Sequence, residues 1–250
     1  MRKTIALVTL LIAVFVVSVI AHLPATVTLN HLPLPRQLKI DGVSGTVWHG
    51  QAEQVRWLSY DLGSVNWDMH LASLFTGKVA VSTRFGQGSE MNVRGRGVVG
   101  IGFGGVFAKS LLVSLPAAQV TSYIRQPVDL TGQIELTLRD YHYAAPWCSE
   151  AKGTLAWTKG AVSSPVGAVN LGQVIADVTC KDSRIDVKGN QGNQEVSSEF
   201  SATVEANRRY QAQAWFKPGS QFPKELGDLL KHLPNPDGQG RYHFQQQGRF

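Results

Sequence analysis

The residues best equipped for chemistry are one glycine run, seven histidines and two cysteines. Gly95-Arg96-Gly97-Val98-Val99-Gly100 spells G-x-G-x-x-G, the spacing that brings a backbone close to a pyrophosphate where a helix opens. The residues that follow, GIGFGGVFAK, are poor helix formers, and the next carboxylate is Asp129. We therefore read these glycines as points where a strand bends or another surface approaches closely. Gly42-Val43-Ser44-Gly45 resembles a nucleophile elbow but lacks G-x-S-x-G spacing, so Ser44 reads as a turn residue. Histidines 22, 31, 49, 70, 142, 232 and 243 form no H-x-x-x-H or H-E pattern, which leaves no metal set. Asp177 and Asp182 flank Cys180 without a partner constellation. The expectation is a protein with no cofactor that is not an enzyme.

The elements that position these residues begin with Ile5–Ala21, IALVTLLIAVFVVSVIA, 17 residues without a charge, Pro or Gly. As a helix it rises about 26 Å, slightly short of a hydrocarbon core of roughly 30 Å. Arg2 and Lys3 precede it and the next charge is Arg36, so the positive-inside tendency places the N-terminus in the cytoplasm and the body across the membrane. Val19-Ile20-Ala21 also offers a signal-peptidase site. Retention is favoured, because the run exceeds the 7–15 apolar residues usual in a signal core. Either way the body is exported, and an even cysteine count in an exported chain points to a structural Cys148–Cys180 disulfide.

Net charge is +6, or +4 without Arg2 and Lys3, and the basic residues are scattered singly. Nothing resembles a nucleic-acid stripe; weak attraction to anionic headgroups or acidic partners is the most this charge supports. From His22 to Gly42, Pro24, Pro33 and Pro35 favour an extended tether. Beyond it, apolar and polar residues alternate with the period of half-buried strands. The alternation runs through GVSGTVWHGQAEQVRW, LGSVNWDMHL, GKVAVSTRF, EMNVRGRGVVGIGF, DLTGQIELTLRD and EVSSEFSATVEA. Ile134, Leu136 and Leu138 should share a face opposite Gln133, Glu135 and Thr137, and Phe200, Ala202, Val204 and Ala206 should share another. Two helices interrupt the strands, over 116–124 and 223–233, each opening at a proline.

These helices lie 107 residues apart, and other landmarks repeat at nearly that offset. Gly45-Thr46-Val47-Trp48 answers Gly153-Thr154-Leu155-Ala156-Trp157, Leu62-Gly63-Ser64-Val65 answers Leu171-Gly172-Gln173-Val174, and Pro116 and Pro127 answer Pro223 and Pro236. The organisation expected is a cytoplasmic tip and transmembrane anchor (1–22), an extended tether (23–37) and a β-rich domain (38–250), with repeats over 45–138 and 153–245. The fold expected is mainly β: one transmembrane helix, then a twisted, curved, largely antiparallel sheet of two related halves, each with one short helix. Open trough and closed sandwich stay equally allowed, since both show apolar residues on one strand face. An outer-membrane barrel does not fit, because Gln246 and Gly248 fall at lipid-facing positions before the terminal Phe250. Trp48 and Trp157, equivalent in the repeat, read as anchors beneath the sheet, with a partner or headgroup contact as the alternative.

The anchor, SGTVWHGQA, LGSVNWDMHL with LFTGKVAV, the cysteine pair and the final GRYHF together resemble the type II secretion system protein N family over nearly the whole chain. That resemblance implies a single-pass bacterial inner-membrane protein with a periplasmic domain, in contact with other inner-membrane subunits of the machine that exports folded proteins. More distantly the chain is similar to AsmA-type envelope proteins, which implies an apolar β-groove and possible phospholipid binding.

Overall fold

A computed structural model describes residues 2–31, 35–58, 60–121, 124 and 127–249, so Pro33, Tyr123 and Phe250 lie outside the described residues. Helix α1 (Arg2–Ala21) is followed by α2 (Ala25–His31), where an extended tether was expected. Pro24 immediately precedes α2, and a proline there costs no intrahelical hydrogen bond; its carbonyl accepts from the Thr28 amide at 3.4 Å. Next come β1 (Leu38–Asp41), β2 (Ser44–Gly45), β3 (His49–Trp57), β4 (Tyr60–Met69), α3 (Leu71–Leu74), β5 (Val79–Gln87), β6 (Arg94–Gly102), β7 (Gly105–Pro116), α4 (Ala118–Thr121) and β8 (Asp129–His142). The second half holds β9 (Glu150–Ser164), β10 (Gly167–Lys181), β11 (Arg184–Gly192), β12 (Val196–Val204), β13 (Arg209–Pro218), α5 (Lys224–Leu229) with a 3-10 turn after it, and β14 (Tyr242–Arg249).

All fourteen strands belong to one antiparallel sheet in which neighbours in sequence are neighbours in space, from β1 and β3 through to β14; β2 pairs only with β3. The two prolines expected to open helices behave differently. Pro223 occupies the position before α5, whereas Pro116 ends β7 and α4 has only four residues, among those described. The first half also carries α3, a helical turn the alternation did not announce.

Register makes the alternation physical. One line of cross-strand partners reads Ala52, Val65, Phe85, Gly95, Val113, Leu136, Leu155, Ala176, Gly189, Phe200, Ala214 and Phe244, every one apolar or glycine. The adjacent line reads Gln51, Asn66, Arg84, Arg96, Leu112, Thr137, Thr154, Asp177, Lys188, Ser201, Gln213 and Gln245, polar but for Leu112. Adjacent residues of a strand point to opposite faces, so the sheet has one apolar and one polar face. Ile134, Leu136 and Leu138 lie on the apolar face as expected. Phe200, Ala202 and Val204 join them, but Ala206 falls in the turn after β12.

No second sheet covers the apolar face among the described residues. Among the described residues the nearly fully buried apolar side chains are mostly alanines, the two cysteines, Val55, Phe107 and Val196, while Phe85, Leu136, Leu155, Val178 and Phe200 are only half-buried. A sandwich would bury such residues completely against a facing sheet. The open alternative is the one realised, and the sheet rests on its ladders and on side chains packed sideways against cross-strand neighbours.

Candidate functional site

The glycine run lies within β6, away from any helix. A Cβ on Gly95 would strike the Phe85 ring, and one on Gly100 would strike the Val79 carbonyl and the Phe107 ring. These glycines let rings lie flat on the strand. Ser44 sits in the two-residue strand β2 between Gly42 and Gly45, both at positive φ (65° and 86°), a turn setting. The histidines stay apart: His49 meets Asp68 at 3.1 Å, His70 meets the Ser82 hydroxyl at 2.7 Å, and His243 meets Asp237 at 2.9 Å. Among the described residues no three His, Cys, Asp or Glu side chains converge as a metal set.

Cys148 and Cys180 form a disulfide with Cα atoms 6.4 Å apart. It holds the β8–β9 connection against the β10–β11 hairpin, whose Asp182 and Ser183 adopt the positive φ of a tight primed turn. The Ser183 amide donates to the Cys148 carbonyl at 2.7 Å, and the Tyr141 hydroxyl donates to the Trp147 carbonyl at 2.6 Å. Burial raises the Tyr141 pKa, with Tyr143 adding to the effect. Ala151, Ile185 and Trp147 complete this small cluster, where a loop closes over the apolar face with a staple.

The two tryptophans part company. The Trp157 indole donates to the Thr131 carbonyl at 2.8 Å, and its register partners are Ile134 and Val174, which places it on the apolar face. Trp48 precedes β3, and its indole donates to the Ile20 carbonyl in the last turn of α1 at 2.8 Å. It couples the N-terminal helix to the sheet. Nearby, α2 lies over β1, β3 and β4 and encloses a pocket of about 270 Å³ lined by Ala25, Leu29, Ile40, Val55, Val65 and Trp67. Val65 belongs to the apolar line, so the pocket opens where that face begins.

The polar face carries a larger feature that no sequence motif announced. A basin of about 980 Å³ spans β3 to β8, and Arg84, Arg96 and Arg139 line it with Ser82, Thr137 and the His49–Asp68 pair. Arg84 and Arg96 stand directly opposite each other in the ladder. Like charges there repel. Arg56, Arg184 and Arg241 each meet an aspartate, at 3.1, 3.2 and 2.9 Å, whereas the three basin arginines have no carboxylate partner among the described residues. The signal that could have found the basin is weak: one arginine on a polar position of each of three strands, visible as a cluster only once register is known.

The side chains of α1 from Val8 to Ile20 are 47–65% exposed where they are large and apolar, so beyond the Trp48 contact at its foot the apolar surface of the helix lies bare. Among the described residues no helix is long and apolar enough to cross a membrane. Taken together, the fold and its surfaces define a single-sheet antiparallel β-protein headed by an apolar helix, with broad polar and apolar faces.

The family model described as "Type II secretion system (T2SS), protein N" matches residues 36–245. The chain is 47% identical to "Type II secretion system protein N" of Vibrio cholerae serotype O1 and 34% identical to the protein of that name from Aeromonas hydrophila, over the full length of both chains in each case. It is 25% identical to the Klebsiella pneumoniae protein, covering all of this chain and 96% of that one. The chain belongs to the type II secretion system protein N family. No solved structure matches it.

Proposed function

We propose that the chain is a non-catalytic component of the type II secretion machine, held in the inner membrane by α1 with its sheet in the periplasm. It acts by contact with other inner-membrane subunits. The observation that carries this reading is the arginine basin: three guanidiniums that meet no carboxylate among the described residues, beside a single aspartate, Asp68, that is paired with His49, suit the carboxylates of an acidic partner segment. The anchor is supported by the 17 uncharged residues Ile5–Ala21 and by the bare apolar surface of α1. The test places a photo-crosslinker at Thr137 in cells that secrete folded enzymes. Crosslinks to inner-membrane secretion subunits, and a secretion defect on deleting the gene, are expected; neither crosslink nor defect would end the proposal.

Two related copies of one unit are supported by element order. Each half is a meander of five strands, a short helix and a sixth strand: β3 to β7, α4 and β8, then β9 to β13, α5 and β14. A second functional reading, phospholipid handling, is favoured by the uncovered apolar face and the apolar pocket at its head. Full-chain protein purified in maltoside should then carry phospholipid in stoichiometric amount, reduced by a bulky polar substitution such as Val65→Gln; a lipid-free preparation would count against it.

A further inference from the structure

Phe75 and Phe103 are 94% and 93% exposed. They come from separate connections, after α3 and in the β6–β7 hairpin, yet they share a corner, because a Cβ on Gly77 would strike the Phe103 ring. Around them Leu71, Leu74, Val79, Ile101 and Val106 are 39–54% exposed. Val79, Ile101 and Val106 are successive cross-strand partners, so the apolar side chains form one patch. A contiguous patch of this kind on a soluble surface marks a contact.

The corner's position indicates what it contacts. The Met69 amide donates to the Trp48 carbonyl at 2.7 Å, and the Trp48 indole donates to Ile20 of α1 at 2.8 Å. Helix α3 begins two residues beyond Met69, so the patch hangs beside the foot of the apolar helix. Its charge suits a lipid surface: residues 71–81 and 98–109 contain no Asp or Glu, and of their two lysines Lys109 stands opposite Asp140 on the other face of the sheet, which leaves Lys78 beside the connection after α3. Exposed aromatics amid apolar side chains, with no carboxylate in these segments, suit the boundary between headgroups and acyl chains.

We infer that this corner is a second membrane contact, with Phe75 and Phe103 inserted into the interface of the same bilayer that α1 enters. Two attachment points fix the orientation of the sheet over the membrane, which a single helix alone would leave free to swing. The inference rests on the reading of α1 as an anchor, and the test separates the two.

Full-chain protein is placed in nanodiscs of phosphatidylcholine and phosphatidylglycerol. Single cysteines replace Phe15, Phe75, Phe103 or Val166, each labelled with an environment-sensitive fluorophore; the native cysteines are tied up in their disulfide. Val166, 50% exposed in the turn at the opposite end of the strands, is the water-facing control. Lipids carrying a quencher near the headgroup should quench the labels at 75 and 103 at least twofold more than the label at 166, and a deep quencher should quench the label at 15. Labels at 75 and 103 that behave like 166 while 15 is quenched overturn the second contact and leave the anchor standing. An unquenched label at 15 removes both. Phe75 and Phe103 are almost wholly exposed and Phe15 and Val166 at least half, so labelling them leaves the fold intact, and an unchanged melting curve verifies this.

Discussion

Arg96→Glu should make the protein more stable and weaken the contact proposed for the basin. Arg84 and Arg96 are directly opposite in the β5–β6 ladder, both are exposed, and neither has a carboxylate partner among the described residues. Taking the guanidinium groups as about 7 Å apart, the repulsion in water is roughly 0.6 kcal/mol, and screening at physiological salt removes about half of it. Reversing one charge turns that cost into a gain of similar size, a swing of about 0.5–1 kcal/mol. This agrees with the range of about 0.2–1 kcal/mol known for cross-strand charge pairs. For a sheet of this size the swing is a rise of about 1–4 °C in melting temperature, larger at low salt. Thermal unfolding of full-chain protein in maltoside at about 20 mM and 500 mM salt measures it, and crosslinking from Thr137 reads partner contact in the same variant. A melting temperature that falls, or a rise that ignores salt, would refute the electrostatic argument; undiminished crosslinking would remove the basin from the function.

Three further outcomes follow from other parts of the sheet. Replacing both cysteines by serine opens a loop with a separation of 32 residues, which in the chain-entropy model costs about 4 kcal/mol; a drop of roughly 8–15 °C, with Trp147 reporting by fluorescence, is expected. Gly100→Val drives a side chain into the Val79 carbonyl and the Phe107 ring, so it should destabilise by about 1–3 kcal/mol in denaturant melts, and nucleotide added at millimolar concentration should not restore stability. Asp237 is held well below the usual carboxylate range, first by the hydrogen bond from His243 and then by the Arg241 amide, the Arg241 side chain and the Gln239 amide. A depressed folded pKa gives stability that is fully present above the unfolded value of about 3.9 and is lost as pH falls from there toward the folded value. Proton NMR of His243 should therefore show the loop intact at pH 5 and loosening only in strong acid, while Asp237→Asn should loosen it already at neutral pH.

Strand identity was written locally. Ile134, Leu136 and Leu138 alternate with Gln133, Glu135 and Thr137, and such a segment can bury its apolar set in only one way, on one face of a sheet. The same local chemistry misled at Pro24, where a proline expected to hold the chain extended instead precedes α2, because proline is excluded from helix interiors and not from their starts. Pro116 erred in the other direction, ending a strand with its ring at the sheet margin. Trp48 and Trp157 match in sequence, yet one is bonded to α1 and the other lies on the apolar face, since a tryptophan's role depends on what stands opposite it.

The amino-acid order alone carried the period of the strands, the apolar run at the head, the pairing of the two cysteines and the family likeness. Whether the apolar faces meet a second sheet depended on how the whole chain is placed, and one unbroken meander from β3 to β14 supplies no such sheet among the described residues. The arginine basin and the phenylalanine corner came from register as well: Arg84 and Arg96 are twelve residues apart, and Phe75 and Phe103 are 28 apart. Alternation specifies which side a residue faces but not its neighbour on the next strand, and it is neighbours that turn single charges and rings into a surface.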